Sequence, residues 1–573
     1  MLLCVGLTLT VFGLDVTANI TNDTVWTMAD SPVNVTPYDF TVEEPWVLTI
    51  EPGVEVRITN SFTVRGELQA CGTVSNRIIF DAAAPDAQWG SLYFRRDAGT
   101  ELVSNTLHHI DLRNMDSYIY LSEKSLSMMH CTMYSTGSLS YGFACYVNSN
   151  TTAAYGAARL TMVSNIMILT TTRDSSGFNG IVVDGMPCEL RYNTLHFCAT
   201  GQLSEAAAVK CYRSNTPYFR GDITGNEISL EIQHPDVMTA SGILVGPNSK
   251  VESEISNNTI TVRGPRTLYG ISKSGTNLII QNNVSMIATS GTSGGYVYGI
   301  YSDAAYGGTR DLLVHNRVDC HTDLGSCYMR GIFMQTGRTR GNRIRMSSTA
   351  TNGSMYGIEQ QYYSGHIENN TLCMEATNHC PVRGICLSTH YSSDADIQVR
   401  NNIVYSPGSS NAVGVYKDTG CAAGVTNACN LVYGATTAYF NCLPGPGALS
   451  GDPLFPDDTF HIGTNSPALN AGTNLAWMAS ATDMDGLPRI DDGCVDIGAD
   501  EYLFIPYGSV TDITNLCWNV ISGGVYQLES CSNLMAQSWH SGSTVITSRQ
   551  ATLEFAVSNI TECLRCFRLK RML

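Results

Sequence analysis

Short apolar strings recur along this chain behind two different small residues. Asn leads one set: SNIMI at Asn165, YNTLH at Asn193, GNEIS at Asn226, NNTIT at Asn258, NNVSM at Asn283, HNRVD at Asn316, GNRIR at Asn342, NNTLC at Asn370, NNIVY at Asn402 and CNLVY at Asn430, at intervals of 25 to 33 residues. Gly leads a second, interleaved set: NGIVV at Gly180, SGILV at Gly242, YGISK at Gly270, YGIYS at Gly299, RGIFM at Gly331, YGIEQ at Gly357, RGICL at Gly384 and VGVYK at Gly414. A unit with two or three short strands cannot bury its own apolar face, so such units must stack on one another.

The pattern predicts an all-β chain wound as a right-handed parallel β-helix. Each turn contributes three short strands, the aliphatic residue after Gly or Asn points inward, and turns stack about 4.8 Å apart. Asn at a bend tolerates left-handed backbone angles, and its amide can bond its copies in adjacent turns as a ladder. A leucine-rich repeat would need a regular Leu and Asn frame, which is absent. Counted from Asn105 to Asn430, about a dozen turns give a rod of about 50 to 60 Å before the ends are added.

Composition agrees with this and narrows the partners. Only 14% of residues are charged, while 52 Gly and 28 Tyr suit short strands joined by polar turns. A net charge of -17 argues against nucleic acid and against an anionic membrane, both of which need a basic surface. The opening MLLCVGLTLTVFGLDVTA reads as an export leader over residues 1–18, ending at Ala18, although it lacks a basic start. No other stretch approaches the roughly 18 apolar residues of a membrane span, so no transmembrane span is expected. Twenty cysteines are easier to accept outside a reducing cytosol, as disulfides or as buried thiols; CLRC at Cys563 and Cys566 lacks the second pair a zinc site needs.

Residues 46–94, WVLTIEPGVEVRITNSFTVRGELQACGTVSNRIIFDAAAPDAQWGSLYF, resemble the opening turns of bacterial secreted β-helix proteins of the pectate-lyase-like superfamily, a resemblance that extends from about residue 20 to 450. Residues 451–502 resemble the terminal segment of choice-of-anchor Q proteins. Asp452 to Phe455 match its start, Ser466 to Gly472 its middle, and Asp483, Asp485, Gly486, Pro488, Arg489, Asp496, Ile497, Gly498, Ala499 and Glu501 its end. That resemblance implies a cap and connector following the last turns. The tail is similar to a small C-terminal β-domain of exported bacterial proteins, through Tyr526, Asn533, Leu534, Trp539, Phe567 and Arg568. The expected organisation is therefore a leader (1–18), a β-helix (19–450), a capping segment (451–505) and a small β-domain (506–573). No cofactor is expected, though Asp483 and Asp485 in DMDG could give oxygen ligands to calcium; an Asp before Gly more often just makes a turn.

Superfamily enzymes act on polysaccharides, yet the sequence sets of polygalacturonases, pectate lyases and alginate epimerases are missing here. One pair of carboxylates, Asp303 and Glu359, falls two turns apart at roughly 10 Å, the edge of the range for an inverting glycosidase. With Arg330 and Arg383 these are the catalytic candidates. Flanking the Gly column, Tyr269, Tyr298, Tyr301, Phe333, Tyr356 and Tyr416 should face outward, where aromatic rings beside Arg and carboxylates could stack on sugars or simply on one another. The expectation is an exported, non-catalytic protein of the cell surface or extracellular space that binds polysaccharide, a cell-surface glycan or another surface. The alternatives are a polysaccharide lyase or glycoside hydrolase, and a structural spacer.

Overall fold

The structure is a computed structural model. It describes residues 13–96, 103–137, 141–146, 158–212, 219–246, 251–274, 277–289, 295–303, 312–323, 325–377, 379–388, 395–491, 493–502, 508–512, 515–520, 525–531, 540–541, 545–547, 552–556 and 566–572. Three long sheets dominate, and every strand pair within them is parallel. Sheet I has 16 strands, from Leu14–Val16 to Leu431–Tyr433; sheet II has 15, from Asp39–Val42 to Thr437–Phe440; sheet III has 15, from Thr24–Trp26 to Gly424–Ala428. The chain visits I, II and III in turn, so each strand pairs with its counterpart one turn away. The fold is a parallel β-helix. At the usual strand spacing sheet I is about 70 Å long, longer than the Asn repeat suggests because turns continue on its N-terminal side.

One turn explains the rest. Arg317–Thr322 lies in sheet I, Ser326–Met334 in sheet II and Gly337–Arg340 in sheet III, and Gly341 and Asn342 then lead back into sheet I at Arg343. Inward positions are apolar and closed to solvent: Ile271, Ile300, Ile332, Ile358, Ile385 and Val415 are in register across sheet II and each is 0% exposed. The Gly column breaks the simple alternation, because Gly270 and Ile271 are both buried between outward-facing Tyr269 and Ser272. A Cβ on Gly270 would sit 2.2 Å from Val284 Cγ1 and 2.5 Å from the carbonyl of Gly299. Close approach between sheets, not a special φ, is what demands glycine there.

The corner between sheets III and I carries the Asn ladder. Asn165, Asn193, Asn226, Asn258, Asn282, Asn316, Asn342, Asn370, Asn402 and Asn430 are each 0 or 1% exposed. In each step the backbone N–H and Nδ2 of one Asn both donate to Oδ1 of the next; for Asn316 and Asn342 the distances are 2.9 and 3.0 Å. Nδ2 of Asn316 also donates to the Ile279 carbonyl at 2.9 Å. The residue before each Asn turns the corner in the left-handed region, as at Tyr192 (φ 56), Asn257 (φ 56), Asn369 (φ 53) and Cys429 (φ 50). Below Asn165 the ladder ends on Cys131, whose N–H donates to Asn165 Oδ1 and whose thiol donates to the Leu107 carbonyl.

Two sequence assignments change. Asn282, not Asn283, is the ladder member; Asn283 is exposed and begins a strand of sheet I, because in NNVSM the first Asn follows the left-handed residue Gln281. Asn105 is buried but sits inside a strand of sheet III, where its Oδ1 accepts from the Leu68 N–H, so the ladder does not reach it.

Residues 441–449 close the last turn over sheets III and I: Asn427 Nδ2 donates to the Leu443 carbonyl, and Leu449 pairs with Leu431. The segment expected to cap the end does something else. From residue 451 it folds back along the outer face of sheet I as a strap. Arg343 donates to the Thr459 carbonyl, Asn369 Nδ2 to the Asp496 carbonyl, and the Gly498 N–H to the Asn401 carbonyl, contacts that span turns 343 to 401. Ile403 and Leu431, on the outer side of sheet I, pack against Ile462, Ala468 and Ile497 of the strap. A separate core of Trp518, Val520, Tyr526, Leu528 and Leu569 forms where Val525–Cys531 pairs antiparallel with Cys566–Met572.

Residues 1–12 of the expected leader lie outside the described residues, and Leu14–Val16 pair with Val33–Val35 in sheet I. The fourteen cysteines whose side chains are described form no disulfide with one another, and most of them are buried. The close pairs in sequence, such as Cys320 and Cys327, serve as core residues; Cys563 is outside the described residues.

Asn316→Ala removes donors and acceptors from a closed, dry network, so it should lower stability by about 3 kcal/mol or more. Asn283→Ala should change it by less than about 0.5 kcal/mol. Thermal melts of both variants beside the parent check the assignment of the ladder residue.

Candidate functional site

The outer face of sheet II gathers the aromatic candidates, because in-register stacking lays equivalent positions of successive turns in rows. One row runs Tyr269, Tyr298, Arg330, Tyr356, Arg383; the second runs Tyr301, Phe333, Glu359, Cys386, Tyr416, Phe440. All six aromatic candidates therefore share one face. Their rings are spent on one another. Tyr269 and Tyr298 stack at 4.9 Å and 6°, and Tyr301 and Phe333 at 4.8 Å and 8°. The Arg330 guanidinium lies 5.2 Å from the rings of both Tyr298 and Tyr356, and Arg383 lies 4.7 Å from Tyr416.

Sugar stacking needs an open ring face, and these rings present edges and hydroxyls instead. Phe333 is 6% exposed and offers almost nothing to solvent. Burial among these rings pushes the Tyr269 hydroxyl up to about 12, with Tyr298 adding to the shift and Arg330 offsetting part of it. The sequence missed three outward rings that are more open: Tyr296 and Tyr328, stacked at 5.3 Å and 41 and 38% exposed, and Phe440, stacked on Tyr416 at 5.0 Å and 41% exposed. Phe440 sits on the last strand of sheet II, so no further turn covers its outer side. Alternation within the strands holding Gly299 and Gly331 would have found Tyr296 and Tyr328, since they lie two residues before Tyr298 and Arg330.

The catalytic candidates do not assemble. Arg330 Nε donates to Glu359 Oε2, and Gln361 Nε2 donates to Glu359 Oε1 at 2.8 Å. Burial pulls the Arg330 guanidinium down, but Glu359 beside it holds it above its ordinary value. Glu359 is 4% exposed and both its oxygens are engaged, so it lacks the free oxygen that a general base presents to a water. Register puts Glu359 opposite Phe333 and Tyr301, two residues back along the strand from the level of Asp303. That offset adds to the two-turn separation and sets the backbones about 12 Å apart. Asp303 is close enough to Tyr301 to raise its hydroxyl, after burial. Arg383 donates to the Val382 carbonyl and stacks on Tyr416.

A second group of charged side chains lies in the strap. Asp483 is 0% exposed: its Oδ1 accepts the N–H groups of Asp485 and Leu487, and its Oδ2 accepts that of Glu501. Arg489, 1% exposed, donates to the carbonyls of Ala499, Asp496 and Gly498. Glu501 accepts from the Asp491 and Asp496 N–H groups, and Asp496 from those of Asn470 and Tyr502. Each of these charged motif residues therefore organises main chain. Asp485 instead leaves the turn and meets His461, whose Nε2 is 3.0 Å from Asp485 Oδ2, while His461 Nδ1 is 3.0 Å from Asp457 Oδ2. His461, Asp485 and Asp500 bring one ligand atom each to within 4.8 Å of one another, the group among the described residues able to hold a metal ion.

No family model matches the chain, and no match was found among curated proteins.

Two outcomes follow from these environments. Glu359→Gln leaves the half-buried Arg330 without its counter-charge and should cost about 1 to 3 kcal/mol, read as a lowered melting temperature. Burial raises the carboxyls of Asp496 and Asp500 to about 6 and of Glu501 to about 8, and His461 is also raised, its Asp partners outweighing burial. Groups raised on folding contribute stability that is fully present below their unfolded values and is lost as pH rises through the folded ones. Asp457, held below the usual carboxylate range by its Thr459 and His461 bonds against burial, acts in the opposite sense, but only at acid pH. These groups should therefore lower the melting temperature between about pH 4 and pH 8, against His315, which burial lowers to about 4 and which favours a rise up to about pH 6.5, so the fall should be clearest above about pH 6.5, where Glu501→Gln should flatten it.

Proposed function

We propose that this chain is an exported, non-catalytic β-helical rod that presents the outer face of sheet II to a polysaccharide or another extracellular surface. The observation that carries the reading is the continuous outward row from Tyr269 through Tyr298, Arg330 and Tyr356 to Arg383, flanked by Tyr301, Phe333 and Tyr416. Such a row repeats at the spacing of one turn, about 4.8 Å, which suits an extended repeating polymer lying along the rod. Since the rings are stacked, contact would come through tyrosine hydroxyls and ring edges, with more exposed rings supplied by Tyr296, Tyr328 and Phe440. Tyrosine suits this because its apolar body is held in the stack while its hydroxyl keeps hydrogen-bonding capacity, that of Tyr298 already accepting from Arg330 Nη1 at 3.3 Å.

The resemblance of residues 46–94 to pectate-lyase-like proteins and of 451–502 to choice-of-anchor Q segments supports an extracellular setting and a carbohydrate partner. The acidic charge of -17 favours a neutral glycan, or one bridged by cations, over a polyanion bound directly. An enzyme reading is weakened by the engaged state of Glu359. A second reading, a structural spacer, draws on the same stacking: rings that face each other stabilise the rod whether or not anything binds.

Tyr298→Phe with Tyr269→Phe separates the two, since it keeps the stack and removes the hydroxyls. Affinity electrophoresis through gels containing neutral and acidic polysaccharides should show retardation of the parent that drops at least about threefold in the double variant, with stability lowered by no more than the lost Arg330–Tyr298 hydrogen bond, about 1 kcal/mol. Equal mobility of parent and variant in every gel would leave the spacer.

A further inference from the structure

We propose that His461, Asp485 and Asp500 form a binding site for one first-row divalent cation, of the zinc or manganese class, that locks the strap into its folded-back path along sheet I. The three residues come from three different limbs of the strap: the stretch after Phe460, the turn between Asp483 and Leu487, and the end of the segment. Their ligand atoms converge within 4.8 Å, and they bring one imidazole and two carboxylates. That donor set suits a borderline metal with water completing the shell, whereas calcium would want six or more oxygens. The calcium expectation for Asp483 fails on its contacts, since both of its oxygens are taken by main-chain N–H groups.

The imidazole is oriented as a ligand. Asp457 Oδ2 and the Thr459 hydroxyl sit on Nδ1, at 3.0 and 2.6 Å, the arrangement by which a carboxylate holds a metal-binding histidine in the tautomer whose Nε2 lone pair is free. That Nε2 faces Asp485 Oδ2 at 3.0 Å. A neutral imidazole carries one N–H, so once Nδ1–H is given to Asp457, the acceptor Nε2 and a carboxylate oxygen at that distance call for a cation or a second proton between them. Asp500, 6% exposed, is anchored through the Ile462 N–H at 2.8 Å, which fixes the limb carrying His461 beside it. The nearby guanidinium groups hydrogen-bond elsewhere, Arg343 to the Thr459 carbonyl and Arg489 to three carbonyls of the strap, and act on Asp485 and Asp500 only through longer-range charge. The side chains of His461 and Asp485 are 36 and 42% exposed, which leaves a path for entry and room for water ligands.

The test uses the full chain, stripped with chelator and titrated with cobalt(II), whose absorption distinguishes nitrogen and oxygen ligands from cysteine thiolates. The expected result is one equivalent bound without a thiolate charge-transfer band, displaced by zinc, with a rise in melting temperature. Asp485→Asn, at an exposed position that leaves the core intact, and His461→Gln should each abolish uptake, and Asp457→Asn should weaken it about 10- to 100-fold. Absence of uptake, a thiolate band, or uptake unchanged in Asp485→Asn and His461→Gln would overturn the proposal. A melting temperature that answers to pH but not to cobalt, zinc or manganese would overturn it too, and would identify His461 as an imidazolium bridge between Asp457 and Asp485.

Discussion

Everything in this molecule is governed by register. Each strand of the rod lies parallel to its copy one turn away with no shift, so any residue type repeated at one place in the turn becomes a column of touching side chains. Inside, the columns are aliphatic and dry. At the corner between sheets III and I the column is Asn, and its amides satisfy both one another and main-chain groups that the bend would otherwise leave buried and unpaired. The left-handed residue before each Asn and the glycine opposite the sheet I aliphatics both answer to the same packing demand.

The same constraint limits what the outer face can do. A tyrosine repeated in register meets its copy at about the distance of a ring stack, so the turn spacing that creates an aromatic row also uses up the ring faces within it. An acid in the row behaves similarly: Glu359 follows Arg330 by one turn and is captured by it. More exposed rings arise where the row is offset or ends, at Tyr296 and Tyr328 on the flank and at Phe440 on the last strand. The geometry favours contacts made by edges and hydroxyls over ring-face platforms.

The repeat was legible because register writes it into the sequence: ten of the corner positions are Asn, and the Gly column is nearly unbroken. Where two Asn adjoin, as at Asn282 and Asn283, only the left-handed residue before the corner distinguishes them, and conformation is not a residue type. Asn105 misled for the opposite reason, having the right neighbours on a different sheet. The outward rows were found from alternation after Gly, but whether their rings stack on sugar or on each other depends on side-chain torsions that no spacing encodes. The path of the strap was partly written in residues 403 and 431, where Ile and Leu stand on the outer side of sheet I at positions that Arg317, Arg343 and Thr371 hold in earlier turns. An apolar outer row signals a cover.

The strap also shows why a motif full of Asp and Gly need not be a site. Asp483, Arg489, Asp496 and Glu501 spend their charges on main-chain groups, which a segment with almost no regular strand cannot pair in any other way. Gly498 belongs to the same economy of space, since a Cβ there would fall 2.7 Å from Ile403 and 2.8 Å from Thr371. What remains after those assignments is Asp485, the one motif carboxylate turned away from the main chain, and it points at a histidine that another carboxylate already orients. Chemistry beyond scaffolding is most strongly suggested where the structural account runs out of uses for a charged group, and in this segment that point is His461.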